Sequence, residues 1–109
     1  MNSRRGLFFT FVSFIKQSRL AMQERELTIM NRLGLHARAA VKLVSLSSKY
    51  ASSVVLVANG RRANARHLIA VLLLSAGMGS VVSIRISGPD EVEAMTAVTR
   101  LISNGFGEG

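Results

Sequence analysis

Along most of the chain, apolar and polar residues recur with either a strand-like or a helix-like period. Residues 23–30 and 81–87 alternate between apolar and polar side chains, as half-buried strands do. Residues 53–58 form an apolar run, and residues 61–64 are predicted to return beside it after the turn Asn59-Gly60. That dipeptide favours a type I′ hairpin, because both turn positions need positive φ. The predicted inward-facing residues of the alternating strands are Leu27, Ile29, Val82, Ile84 and Ile86.

Three further segments place their apolar residues at helical spacing. The first helix is predicted over residues 37–49, and a short second helix, apolar on nearly all sides, over residues 66–74. The third is predicted to open at Gly88-Pro89-Asp90, with Pro89 suited to a first helical position and acidic residues in the first turn. Asn104-Gly105 is predicted to end it.

The predicted element order is therefore β-α-β-β-α-β-α. Short loops and alternating strands favour a four-stranded antiparallel sheet with the three helices on one face, which is an α+β fold. A length of 109 residues suits one domain with its own core. We predict one folded domain over residues 22–109, preceded by an N-terminal extension, residues 1–21.

The N-terminal extension differs from the rest of the chain in charge and pattern. Its basic residues, with no acid among them, are Arg4, Arg5, Lys16 and Arg19. They account for half of the net charge of +8. The apolar stretch from Leu7 to Ile15 is too short to cross a membrane as a helix. We interpret residues 1–21 as disordered or as upstream sequence ahead of a start at Met22; a secretory signal and a membrane-seeking arm are the alternatives. The expectation is a cytoplasmic protein with no stable membrane association.

Composition excludes several classes of function. The chain has no Cys, which excludes a disulfide framework, a thiolate metal site and a Cys nucleophile. Two histidines, His36 and His67, are too few for a His-built metal site, so no metal and no cofactor are expected. The domain after residue 21 is moderately basic, which suits an acidic protein partner as well as nucleic acid. One Tyr and no Trp argue against base stacking, so no nucleic-acid partner is predicted.

The candidate chemistry lies at His36, which directly precedes the first predicted helix. A helix N-terminus presents unpaired N–H groups and a partial positive charge, so it attracts anions such as phosphate. The same field disfavours a second positive charge and keeps an imidazole neutral and nucleophilic. Arg38 follows two residues later, and its planar fork of donors suits phosphate oxygens. This arrangement predicts phosphoryl transfer to His36 by positioning and charge stabilisation alone.

The motif Gly34-Leu35-His36-Ala37-Arg38 resembles the active-site motif of HPr, the histidine-containing phosphocarrier family of the bacterial phosphoenolpyruvate-dependent phosphotransferase system. The resemblance extends over about residues 22–109. Its other segments include Asn59-Gly60-Arg61-Arg62, Asn64-Ala65-Arg66, Ala76-Gly77, Gly88-Pro89-Asp90-Glu91 and the tail Gly105-Phe106-Gly107-Glu108. The related NPr proteins of the nitrogen-linked branch resemble the chain in the same way.

The resemblance implies an open-faced β-sandwich and a carrier rather than an enzyme. His36 would accept a phosphoryl group on Nδ1 from phosphorylated enzyme I and pass it to an enzyme IIA domain of the sugar or nitrogen-related branch. Arg38, together with Ala37, would position the phosphate. A carrier must present its site to several proteins in turn, so a monomer is expected.

Two departures from the family pattern define the alternative function. Ala39 stands where many members have Pro, and His67 stands where many have a Ser that a kinase phosphorylates. A His is no substrate for a seryl kinase, so that regulatory input is expected to be absent. His67 also lies near a helix start, which leaves open a second phosphohistidine, a solvent-facing residue or a partner-facing residue. The alternative is a regulatory protein-binding module that no longer transfers phosphate.

A partner-docking surface is predicted beside His36. The first helix carries the basic residues Lys42 and Lys49 on the face opposite its apolar stripe. The second helix is too apolar for all of its side chains to reach the core. We expect Val71 and Leu74 to remain partly exposed and to contact partners together with the two lysines.

Overall fold

The computed structural model describes residues 22–108, and the predictions made for residues 1–21 lie outside it. The strands are β1 (Gln23–Thr28), β2 (Ser53–Ala58), β3 (Arg61–Asn64) and β4 (Val81–Ser87). The helices are α1 (Ala37–Ser47), α2 (Leu68–Leu73) and α3 (Glu91–Ser103), and a 3₁₀ turn follows at Gly105–Gly107. The predicted order β-α-β-β-α-β-α is confirmed.

The four strands form one antiparallel sheet in the order β1-β4-β2-β3. Leu27 of β1 lies opposite Val82 of β4, and Leu56 of β2 lies between Ile84 of β4 and Ala63 of β3. The three helices cover one face of the sheet. This is the predicted α+β fold. None of the helices in the described residues is long and apolar enough to cross a membrane.

The core lies between the sheet and the helices, and the strand alternation produces it. Val82, Ile84 and Ile86 of β4 are fully buried, as predicted, while the residues between them lie on the open face of the sheet. The largest side chain in the core is that of Phe106, which the C-terminal 3₁₀ turn carries inward. The largest fully buried aliphatic residues are Ile29, Leu43, Leu56, Leu74, Ile84, Ile86 and Ile102.

The predicted hairpin is confirmed. Asn59 has a φ of 53° and Gly60 a φ of 74°, as a type I′ turn requires. Asn59 also ties this turn to the end of α2, because its side-chain amide donates to the carbonyls of Leu74 and Ser75.

Several element ends differ from the prediction, and a local hydrogen bond explains one of them. Helix α2 begins at Leu68 rather than at residue 66, because the side chain of Asn64 accepts from the backbone N–H of Arg66 and holds a turn there. Helix α3 begins at Glu91, so Pro89 precedes the first helical position instead of occupying it. Strand β1 ends at Thr28 and α1 at Ser47, each two residues early.

Candidate functional site

A close backbone contact fixes the loop that carries His36. Gly34 has a φ of +68°, and a β-carbon there would lie only 2.6 Å from the carbonyl oxygen of Ala76. The next residue, Leu35, donates its N–H to that same carbonyl at 2.8 Å and is buried. The glycine therefore lets two loops pack against each other, and the packing determines where His36 emerges.

His36 is the N-cap residue of α1. Its backbone is extended, with φ −76° and ψ −178°, and its carbonyl accepts the first helical hydrogen bond, from Ala40, at 2.8 Å. Its Nδ1 atom accepts a hydrogen bond from the backbone N–H of Arg38 at 3.3 Å. The first turn of α1 contains no acidic residue, so the positive end of the helix dipole is not neutralised from within the helix.

The other ring nitrogen of His36 contacts a carboxylate from the C-terminal tail. Nε2 lies 2.6 Å from Oε2 of Glu108, and the two side chains are 27% and 18% exposed. Oε1 of Glu108 accepts a hydrogen bond from Nδ2 of Asn31 at 3.0 Å. Nδ2 of Asn31 also donates to the carbonyl of Gly34 at 2.8 Å. One buried amide thus links the His36 loop to the tail.

Two further contacts hold the tail over α1. The Nζ atom of Lys42 donates to the carbonyl of Phe106 at 2.6 Å. The Phe106 side chain is fully buried, although its backbone lies in the left-handed region with a φ of 58°. The buried ring offsets the cost of that conformation, and the turn directs Glu108 back towards His36.

These contacts also control the charge of Glu108. Hydrogen bonds from His36 and then from Asn31 lower the pKa of the Glu108 carboxyl, and partial burial opposes them. The positive charge of Lys42 lowers this pKa further. Glu108 is therefore a carboxylate at neutral pH and can serve only as a hydrogen-bond acceptor.

An open cleft of about 720 Å³ lies in front of His36. Its lining residues are Arg32, Leu33, His36, Ala37, Arg38, Lys42, Gly107 and Glu108. Arg32, Arg38 and Lys42 are basic, and Glu108 is acidic. The Arg38 side chain is exposed, and within the described residues it has no hydrogen bond or ion pair. The cleft can therefore bind an oxyanion next to Nδ1 of His36. Residues 22–108 contain no cluster of three side chains suited to a metal ion.

The structure brings some of the predicted site residues together and separates others. His36, Ala37, Arg38 and Lys42 all line the cleft, but the amino group of Lys42 is engaged by the tail. Lys49 is exposed and lies beyond the end of α1, outside the cleft lining. His67 is the N-cap residue of α2, exposed and without a side-chain capping bond, and it also lies outside the cleft lining.

The predicted exposure of Val71 and Leu74 is wrong. Both belong to the core, with exposed fractions of 0% and 1%. Val71 and Leu74 are three residues apart and therefore lie on the same face of the helix. This face points inward because α2 packs against α1 and β3. The exposed apolar residues of α2 are instead Ile69, at 66%, and Leu73, at 55%.

Sequence reasoning missed Asn31 and Glu108 as site residues. Glu108 lies 72 residues from His36 and 77 from Asn31 along the chain, and no local period connects them. The tail that carries Glu108 was visible as part of the resemblance to HPr, but its contact with the ring follows only from the fold.

Known proteins resemble this chain in sequence and in fold. The family model described as "PTS HPr component phosphorylation site" matches residues 23–104. Among similar proteins, the phosphocarrier protein HPr of Cupriavidus necator is 49% identical over 88 residues, which is 81% of this chain and 99% of that protein. The phosphocarrier protein NPr of Shewanella violacea is 38% identical over 85 residues, covering 78% of this chain and 93% of that protein.

Solved structures give the same result for the fold. The crystal structure of HPr-C-His from Thermoanaerobacter tengcongensis superimposes with a TM-score of 0.77 at 34% identity, over 80% of this chain and 98% of that one. The HPr of Bacillus anthracis superimposes with a TM-score of 0.72 at 26% identity, over 75% and 98% of the two chains. The chain therefore belongs to the HPr family of phosphocarrier proteins of the phosphotransferase system.

Proposed function

We propose that the protein carries a phosphoryl group on Nδ1 of His36, accepting it from phosphorylated enzyme I and passing it to an enzyme IIA domain. The observation that supports this most directly is the environment of Nδ1. This atom lies at the mouth of α1, accepts the Arg38 N–H, and opens onto the cationic cleft. A nucleophile and an oxyanion site thus lie side by side on the surface, where another protein can reach them.

The transfer step needs no metal or cofactor in this protein. The Nδ1 lone pair attacks phosphorus, the bond from phosphorus to the donor protein breaks, and the proton on Nε2 stays where it is. The Arg38 N–H, which points at Nδ1, is then placed to donate to a phosphoryl oxygen. The guanidinium of Arg38 and the N-terminus of α1 at Ala37 balance the charge of the bound group.

The docking surface is proposed to consist of the cleft rim and the outward side of α2. Exposed apolar side chains occur on the cleft loop at Leu33, on α1 at Val41, and on α2 at Ile69 and Leu73. Arg38 and Lys49 supply exposed positive charge on and just beyond α1. Apolar residues next to basic ones suit a partner with an apolar patch and an acidic rim, and such contacts of modest area release quickly, as a carrier needs.

The carrier unit is proposed to be residues 22–109, acting as a cytoplasmic monomer and not as a catalyst. The phosphocarrier protein HPr of Cupriavidus necator aligns over 88 residues and 99% of its own length, and residues 22–109 have that same length. One related structure from Thermoanaerobacter tengcongensis is described as an HPr dimer, so light scattering of the full chain at working concentrations is the direct test of the monomer.

The function is tested by incubating the full chain with enzyme I, Mg²⁺ and phosphoenolpyruvate and recording its intact mass. The expected result is one acid-labile phosphoryl group in the wild type and in His67→Ala, and none in His36→Ala. Addition of an enzyme IIA domain should then remove the group. If an enzyme I that phosphorylates a control carrier leaves this chain unmodified, the regulatory binding module becomes the better account.

A further inference from the structure

The two ring nitrogens of His36 have contacts that specify a single tautomer. The backbone N–H of Arg38 can only donate, so Nδ1, 3.3 Å away, must be the acceptor and carries no proton. Nε2, 2.6 Å from the Glu108 carboxylate, must then be the protonated nitrogen, since the carboxylate can only accept. This tautomer leaves the lone pair on Nδ1.

Asn31 holds Glu108 in place, and its own hydrogen bonding is incomplete. The Asn31 side chain is buried, at 4% exposed, and both of its donor bonds are used, one to Glu108 and one to Gly34. Its Oδ1 atom is buried and has no hydrogen-bond partner among residues 22–108. An unpaired buried carbonyl costs stability, and a flipped amide would turn that oxygen towards two acceptors. The orientation of Asn31 is therefore fixed by the groups that it holds.

We propose that Glu108 is a positioning residue, which selects the Nε2-protonated tautomer of His36 and stabilises the positive charge that the ring gains when Nδ1 binds phosphorus. This inference rests on the proposed carrier function. As the bond from Nδ1 to phosphorus forms, the ring becomes positively charged while Nε2 keeps its proton. Among residues 22–108, the other charged side chains around the ring are Arg32, Arg38 and Lys42, all basic. Glu108 is the only acid of this part of the chain that lines the cleft, so within it Glu108 alone offsets that charge.

The tautomer is tested without any phosphoryl transfer, in the full chain labelled with ¹⁵N at histidine. Nitrogen chemical shifts at pH 8 report the protonation of each ring nitrogen, and exposed His67 serves as an internal reference in the same spectrum. In the wild type, His36 is expected to be almost wholly Nε2-protonated and to differ from His67. In Glu108→Ala, the His36 shifts should move towards those of His67. Glu26→Ala, which removes an exposed acid on β1, should leave them unchanged.

The second measurement is the single-turnover rate of phosphoryl transfer from phosphorylated enzyme I at saturating carrier. Glu108→Gln keeps the shape but loses the charge, and one amide oxygen cannot serve both the Asn31 and the His36 donors. We expect a rate about tenfold below wild type, which corresponds to about 1.4 kcal/mol less stabilisation of the charged ring in the transition state. Glu26→Gln should transfer at the wild-type rate.

The outcomes separate this inference from the proposed function. A wild-type chain that accepts no phosphoryl group overturns the function, whereas the tautomer measurement still stands on its own. If the wild type is phosphorylated and Glu108→Ala leaves the His36 shifts unchanged, Glu108 does not select the tautomer. If the shifts move but the Glu108→Gln rate equals that of Glu26→Gln, Glu108 does not assist transfer.

Discussion

The α-carbon of Gly34 packs against the carbonyl of Ala76 so closely that a β-carbon there would lie 2.6 Å from the oxygen. This contact joins the loop before α1 to the loop after α2. It fixes the backbone two residues before His36, and so it determines the direction from which the imidazole enters the cleft.

Replacing Gly34 by Ala is expected to destabilise the fold through both the clash and the positive φ. Gly60 provides a matched control, because its φ is +74° and its added β-carbon would meet nothing within 4 Å. Gly60→Ala should lower the free energy of unfolding by about 1 kcal/mol, because only the positive φ disfavours the alanine there. Gly34→Ala should cost roughly 3 kcal/mol, because a backbone carbonyl must move as well. Urea unfolding of both variants measures the difference, and equal losses would show that the loops do not constrain each other.

Lys42 was predicted to contact partners, but its ammonium binds the Phe106 carbonyl at 2.6 Å. Lys42→Met keeps most of the aliphatic stem and removes this bond, so we expect a loss of about 1 kcal/mol in unfolding free energy. Amide exchange at Glu108, whose N–H bonds to Gly105, should accelerate. Lys49→Met, at an exposed position beyond α1, should change neither quantity. Identical behaviour of the two variants would mean that Lys42 does not hold the tail.

Asp90 makes the fold sensitive to acid. Its carboxylate accepts from the Ser52 hydroxyl and from the N–H groups of Ala51 and Ser52, and these bonds lower the Asp90 pKa below its ordinary range. Because the pKa of Asp90 is lower in the folded than in the unfolded protein, the hydrogen bonds to its carboxylate stabilise the fold fully above the unfolded-state pKa of about 3.9. This stabilisation is lost as the pH falls through the folded-state pKa.

The urea midpoint of wild type should therefore exceed that of Asp90→Asn at pH 7, and the gap should narrow steadily below about pH 4. Glu93→Gln is the control, an exposed acid in the first turn of the same helix. A gap between wild type and Asp90→Asn that stays constant down to pH 2 would contradict the assignment.

The docking proposal makes a prediction at Leu73, which is 55% exposed on α2. Leu73→Asp should leave the unfolding free energy nearly unchanged and weaken binding to enzyme I about tenfold, as expected for one apolar contact residue at an interface. Val92, 58% exposed on α3, supplies the control substitution Val92→Asp, which should bind like wild type. Calorimetric titration measures both. If Leu73→Asp and Val92→Asp bind enzyme I with equal affinity, α2 is not part of the docking surface.

The sequence was sufficient for the architecture because the strand periods and the turn at Asn59-Gly60 are local signals. It was not sufficient for the exposed face of α2, where nearly every residue is apolar. Contacts with α1 and β3 decide there that Val71 is buried and Ile69 is exposed. The same limit applies to the site. His36 and Arg38 are neighbours in sequence and share a helix start, whereas Glu108 reaches the ring only because Phe106 anchors the tail in the core.

The most direct test of the carrier mechanism is nitrogen and phosphorus NMR of the ¹⁵N-histidine-labelled full chain, after phosphorylation by enzyme I and phosphoenolpyruvate. We predict one phosphoryl group per chain, coupled to Nδ1 of His36, with Nε2 still protonated and the His67 signals unchanged. A phosphoryl group on Nε2 of His36 or on His67, or none with an enzyme I that phosphorylates a control carrier, would contradict the account.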